Sequence, residues 1–365
     1  MKTAGIYIHI PFCEKKCPYC DFYSRHGSQE DFDSYTALIC DFLRKNFCDI
    51  KADTLYFGGG TPSIIGAKRL AEMICTVREC CCLDISENEI TIEVNPSKED
   101  IDFEILRKAG ANRISVGMQS ANDDELLLLG RQHSVRQVKQ CIIRAKNAGF
   151  DNISLDIMIA LPHQTKNKLS KSIAFCVEND IPHVSAYILK IEEGTVFYKK
   201  RQQLSLPDDD FTADLYEFMC DEMRRYGYEH YEISNFCKKG YESRHNLKYW
   251  HDEPYIGIGP SAHSFIDGKR WYYPRNMRKF ADDERIPDGI GGDEEEFIML
   301  GLRLKEGITQ QRFTQRYGKP IDERFLCNAE KYYKMGLVHM SENGFSLTEK
   351  GFLVSNAVIA GILEV

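Results

Sequence analysis

The chain predicts an α/β fold: a curved, open parallel sheet of (β/α)6 type, a partial TIM barrel, followed by a small C-terminal α/β domain with a winged-helix-like end. Three observations predict it. From residue 1 to about 235, short apolar runs alternate with longer amphipathic stretches, the pattern of strands joined by right-handed helical crossovers. Six strand–helix units are clear, short of the eight of a closed barrel. Beyond residue 235 the alternation stops and the composition changes.

The strand candidates are residues 5–10, 54–57, 89–94, 113–118, 152–159 and 183–189, with a weaker one at 229–234. Helical periodicity covers 31–46, 67–80, 98–109, 135–148, 169–178 and 210–226. Gly110, Gly149 and Gly227 fall where three of these helices should end, as C-cap glycines do. The expected organisation is a core barrel over 1–235, an aromatic- and glycine-rich, loop-like connection over 236–293, and a helical and winged unit over 294–365. Winged helices often bind DNA, but residues 293–365 hold 9 Lys/Arg against 11 Asp/Glu, without the basic stripe that DNA requires. A lid or protein-contacting role suits that unit better.

Of the 365 residues, 43% are hydrophobic, enough for a sizeable core, so global disorder is excluded. The net charge of −8 argues against a nucleic-acid partner. No apolar run is long enough to span a bilayer, which leaves room only for peripheral membrane contact. The 14 cysteines, with no secretory leader ahead of them, fit reduced thiols in the cytoplasm better than a disulfide framework. Most should be core residues. Cys80, Cys81 and Cys82 are adjacent, so their side chains diverge and make poor chelators.

Three cysteines differ from the rest. Cys13, Cys17 and Cys20 stand in a C-x3-C-x2-C loop directly after the first strand candidate. Thiolates are the usual ligands of iron–sulfur clusters, and a cubane needs four. Three in one loop leave one iron open, and an open metal position is where a small molecule binds and reacts. In parallel sheets ligands lie at the carboxyl ends of the strands. Other notable residues sit at such ends too: Gly58-Gly59-Gly60-Thr61-Pro62, Glu93, Gln119 and Asp156. The glycines would let backbone approach a ligand, though a simple tight turn reads equally well from the triplet alone. Carboxylates there could hold an amino group or ribose, and Arg131 could grip a carboxylate.

The cysteine motif, with Tyr19 as its aromatic, resembles the signature of the radical S-adenosylmethionine (SAM) superfamily. The resemblance implies a [4Fe–4S] cluster whose open iron binds SAM, and a deoxyadenosyl radical on SAM cleavage. A narrower resemblance covers nearly the whole chain. The runs Tyr7-Ile8-His9-Ile10-Pro11-Phe12-Cys13, Cys17-Pro18-Tyr19-Cys20-Asp21-Phe22, Phe57-Gly58-Gly59-Gly60-Thr61-Pro62, Glu93-Val94-Asn95-Pro96, Ser115-Val116-Gly117-Met118-Gln119-Ser120, Gly130-Arg131 and Asp156 with Leu161-Pro162 are similar to the oxygen-independent coproporphyrinogen III oxidase family. That implies SAM contacts from Tyr7, Gly59, Gly60, Thr61, Glu93, Gln119, Arg131 and Asp156, packing by Tyr19, and Ile188 beside the adenine. The oxidase branch carries a fourth cysteine two residues after the third, where this chain has Phe22, and a longer arm before the first strand. Both departures point to the HemW-type branch of heme chaperones. So does His245-Asn246-Leu247-Lys248-Tyr249-Trp250, which resembles that branch's H-N-x-x-Y-W heme motif. The expectation is a protein that binds the cluster, SAM and heme, with His245 as heme contact and a heme-receiving respiratory protein as partner. The alternatives are porphyrinogen decarboxylation and a radical SAM enzyme with another substrate.

Overall fold

The computed structural model describes residues 1–96 and 101–364. Six parallel strands form the barrel wall in chain order: β1 (Lys2–Ile10), β2 (Ile50–Gly59), β3 (Glu89–Val94), β4 (Arg113–Gln119), β5 (Asn152–Ile159) and β6 (His183–Ile188). The expected α/β partial barrel is therefore present. Its outer face is apolar and packed under the helices: Ile6 and Ile8 of β1, Leu55 and Phe57 of β2, and Ile114 and Val116 of β4 are fully buried.

The helices start and stop as their sequences direct. Ser28 caps Gln29–Asn46 and Ser134 caps Val135–Asn147, each in a capping box with the residue three on. Gly110, Gly149 and Gly227 all take positive φ just past helix ends. The helix expected over 98–109 is seen as Phe103–Ala109; residues 98–100 lie outside those described.

Two expectations need correction. The weak strand at 229–234 is not a seventh parallel strand. It is β7 (Glu229–Glu232), which turns through Ile233 and Ser234 into β8 (Asn235–Cys237), and β8 pairs antiparallel with β6. Nor is 236–293 loop-like. It supplies β9 (Tyr255–Ile258), parallel to β1, and then an antiparallel run of β10 (His263–Ile266), β11 (Lys269–Tyr272) and β12 (Ile286–Ile290). The described sheet thus has 12 strands, in the order β12-β11-β10-β9-β1-β2-β3-β4-β5-β6-β8-β7. The chain ends in a small unit where helices Gln310–Tyr317 and Glu323–Lys334 precede a hairpin. Its strands, β13 (Ile308–Thr309), β14 (Val338–Ser341) and β15 (Gly344–Leu347), make the winged arrangement expected. No helix among the described residues is long and apolar enough to cross a membrane.

Candidate functional site

The concave face of the wall is polar. Alternate residues along the strands point inward, and these are Thr54 and Tyr56, Glu89 and Glu93, Arg113 and Ser115, Ser154 and Asp156, and His183 and Ser185. The period of two in Glu89-Ile90-Thr91-Ile92-Glu93-Val94 and Arg113-Ile114-Ser115-Val116-Gly117 was the signal for this face. The same alternation locates Tyr56 and Ser185, which motif reading missed.

The cysteine loop leaves β1 at the carboxyl end of the wall and is pinned by backbone. Arg25 N–H donates to Pro11 O at 2.9 Å, Cys13 N–H to Arg25 O at 3.0 Å, and Cys20 N–H to Cys17 O at 3.1 Å. Cys13, Cys17 and Cys20 are free thiols and half-buried. The glycine loop after β2 clasps this loop. Gly60 N–H donates to Ile10 O at 2.8 Å and Thr61 N–H to Phe12 O at 2.7 Å. A Cβ on Gly60 would lie 2.5 Å from Phe12 O, so the glycine is required for loop-on-loop contact.

Glu93 accepts from Tyr56 Oη at 2.8 Å and from the Gly59 N–H. Burial and then the nearby Asp156 charge push its carboxyl up to about 7. Asp156 accepts from Ser115 Oγ at 3.3 Å, and burial pushes it up to about 6 against the opposing pull of Ser185 and Arg113. Gln119 ends β4 with φ of 70°, a left-handed turn that interrupts the register with β5. Arg131 is largely taken up by its neighbours. Its Nη2 donates to Asn95 Oδ1 at 2.6 Å and Gly117 O at 2.8 Å, its Nη1 to Cys17 Sγ at 3.7 Å, and its Nε has no partner. Tyr19 packs on Phe197 with ring centroids 6.2 Å apart. Tyr7 Oη lies 3.2 Å from His9 Nδ1, its ring stacked on Tyr56. Ile188, at the end of β6, is 40% exposed and lies at the mouth with Tyr187. A cleft lined by Cys17, Thr61, Asn95, Arg131 and His133 opens beside the cysteine loop.

The fold therefore gathers Cys13, Cys17, Cys20, Gly59, Gly60, Thr61, Glu93, Gln119, Arg131, Asp156 and Ile188 at one end of the barrel. The donor set suits the groups the sequence implies. Three thiols without disulfides on one short loop are soft ligands for an iron–sulfur cluster. Among the described residues no group of three His, Cys, Asp or Glu converges on a single ion, and the ligands of a cubane stand further apart than those of one ion. Two enclosed carboxylates held above their ordinary range favour a cationic guest, and SAM carries an ammonium and a sulfonium.

His245 is not at the mouth. It lies on helix Arg244–Trp250, fully buried, with Nδ1 2.8 Å from Thr54 Oγ1 and Nε2 2.9 Å from Tyr249 Oη. Burial pushes its imidazole down to about 3. Both nitrogens of His245, the expected heme contact, are therefore engaged, and neither faces solvent. His251 is also taken up, between Glu253 and Glu306. His263 differs in exposure: its side chain is 57% exposed, its Nδ1 lies 3.9 Å from Asp288 Oδ2, and it stacks on Tyr272 with centroids 5.1 Å apart.

Residues 7–176 match the radical SAM superfamily, and residues 294–354 match the HemN C-terminal domain. A protein named heme chaperone HemW from Bacillus subtilis is 36% identical, with 100% of this chain and 99% of the relative covered. One of the same name from Lactococcus lactis is 34% identical, with 99% and 98% covered. Among solved structures, the coproporphyrinogen III oxidase HemN of Escherichia coli superposes with a TM-score of 0.83 over 99% of this chain and 90% of its own. At 21% identity that likeness shows a shared fold.

Proposed function

This chain belongs to the HemW family of radical SAM proteins, and on that premise we propose that it is a cytoplasmic heme chaperone. In this reading Cys13, Cys17 and Cys20 hold a [4Fe–4S] cluster, and SAM binds across the strand ends. Heme is cargo, delivered to a respiratory acceptor protein. The convergence of three thiols and two enclosed carboxylates at one mouth supports the cluster and SAM, and the full-length similarity to proteins named heme chaperone HemW carries the chaperone reading.

Bound cluster and SAM together would supply one-electron chemistry. The chain's own residues do the rest. Glu93 and Asp156 offer negative charge to the amino group and ribose hydroxyls of SAM, Gln119 turns its amide inward from a left-handed strand end, and Tyr19 closes the apolar side with Phe197. For heme, His263 is the available imidazole of the aromatic segment, with the Tyr272 ring beside it as a flat apolar face. Porphyrinogen decarboxylation is the second reading, because the polar mouth is intact. Against it, Phe22 stands 66% exposed where the oxidase branch has a fourth cysteine.

Heme titration tests the proposal. The wild type and Cys17→Ala should both give a saturable Soret band, while Cys17→Ala alone loses cluster iron. His263→Ala should weaken binding and shift the band. Non-saturable binding that no histidine substitution changes, or protoporphyrinogen formed from coproporphyrinogen with SAM and reductant, would overturn the chaperone reading.

A further inference from the structure

We infer that Asn95 is a positioning residue that orients hydrogen-bond donors onto two of the three cluster cysteines, Thr61 onto Cys13 and Arg131 onto Cys17, and so raises the cluster's reduction potential. The inference rests on the proposed cluster on this loop. It goes beyond ligand assignment because Asn95 touches no sulfur.

One unbroken chain of contacts links the two thiols. Arg131 Nη1 reaches Cys17 Sγ at 3.7 Å and Nη2 reaches Asn95 Oδ1 at 2.6 Å. Asn95 Nδ2 reaches Thr61 Oγ1 at 2.9 Å, and Thr61 Oγ1 lies 3.3 Å from Cys13 Sγ. The direction of every bond follows from the left-hand end. A guanidinium only donates, so the Asn95 oxygen must face it. The amide nitrogen is then forced toward Thr61 and donates to its hydroxyl oxygen. The hydroxyl proton remains free for Cys13, which as a ligating thiolate can only accept. Asn95 precedes Pro96, which favours the extended backbone that aims its side chain along the strand end. Gly117 leaves the gap open: a Cβ there would sit 3.1 Å from Asn95 Oδ1 and 3.2 Å from Arg131 Nη2.

Donors to ligating sulfur offset negative charge. Reduction adds an electron, so the reduced state gains more than the oxidised one and the potential rises. Cys20 receives a backbone donor, from Phe22, and stands outside this chain of side chains.

The test uses full-length protein reconstituted anaerobically without SAM. Iron content is measured first, so absence of a cluster from the wild type would refute the cluster itself and is read separately. Midpoint potentials then follow from redox titration monitored by EPR. Thr61→Val removes the hydroxyl at constant shape. It should lower the reduced-to-oxidised ratio at fixed potential by about tenfold, or about 59 mV for a one-electron couple. Thr61→Ser keeps the hydroxyl and should retain the wild-type value. Asn95→Asp presents only acceptors, so the Thr61 proton turns away from Cys13 and the potential should fall. In a Thr61→Val background the same Asn95→Asp change should lower it distinctly less, because no hydroxyl is left to turn. Equal falls in both backgrounds, or a wild-type potential in Thr61→Val, would overturn the inference.

Discussion

At the amino-terminal floor of the barrel, the polar groups brought in by helix Arg244–Trp250 find ionic or helix-end partners; at the carboxyl-terminal mouth, two carboxylates are hydrogen-bonded but stand without a paired cation. On the floor, Glu89 accepts the backbone N–H groups of Arg244 and His245 at 3.0 and 3.1 Å, a carboxylate at a helix start. His245 has a partner on each nitrogen, and Lys248 pairs with Asp53 at 2.6 Å and Glu253 at 3.1 Å. At the mouth, Glu93 and Asp156 accept only from neutral donors, without an ion pair among the described residues, their carboxyls are held above the ordinary range, and the three thiols carry no disulfide. Buried carboxylates cost free energy unless paired, so an ion-paired cluster reads as a structural device and an unpaired one as a place kept for a cationic guest. The two ends are joined by an aromatic column. Tyr56 stacks on His245 at 5.2 Å on one side and donates to Glu93 on the other.

The contrast predicts its largest effect at the floor. His245→Ala strips partners from Thr54 and Tyr249 and opens a cavity beside Gly5, whose surroundings include the imidazole. Stability should fall by about 3 kcal/mol, measured by urea denaturation of the cluster-free protein. Heme affinity of the folded fraction should be unchanged. A variant with wild-type stability and lost heme binding would reverse the comparison and return His245 to a ligand role.

The next effect belongs to the mouth. Glu93 has a folded value near 7 against an ordinary 4.5, so between these limits the folded state binds more protons than the unfolded one. The Glu93 contribution to the stability of the ligand-free protein, read as the difference between wild type and Glu93→Gln, should therefore fall as pH rises from about 4.5 through about 7. A difference that does not change with pH over that window would deny Glu93 its raised value. SAM affinity should run the other way, rising through pH 7 as the carboxylate ionises, and Glu93→Gln should weaken it and remove the rise. A pH-independent affinity in the wild type would take Glu93 out of the site.

What the sequence made legible follows the same line. Strand ends, helix caps and the cysteine spacing are local signals, and the structure carries the strands and caps where they were read. The strands β9–β12 were not legible because each is only four or five residues long, and β9 exists through its parallel pairing with β1, about 250 residues away in sequence. The β7–β8 turn failed for a similar reason: Tyr231-Glu232-Ile233-Ser234-Asn235 alternates like one strand and folds back in its middle. His245 shows the limit of a motif. Its identity marks an important ring, but whether that ring binds iron or holds the floor depends on Thr54, 191 residues earlier. Asn95 was visible in the sequence, yet its role appears only when Thr61 and Arg131 come to either side of it.

The smallest effect is also the sharpest check on the mouth. Asp21, one residue after the last cluster cysteine, pairs with Arg275 at 2.9 and 3.4 Å, and this pair ties the cysteine loop to the segment after β11. It resembles a clamp, but both side chains are about half exposed, at 44% and 56%. Exposed pairs spend side-chain entropy and are screened, so they contribute little. Arg275→Ala should change stability by less than about 1 kcal/mol, with the difference vanishing in high salt and cluster iron unchanged. The loop does not need the pair, because Pro11, Phe12 and Arg25 already hold its backbone. If Arg275→Ala instead empties the cluster, or costs more than about 2 kcal/mol, then the mouth is built on satisfied charges as the floor is. The open carboxylates would then lose their meaning as a place kept for a cation.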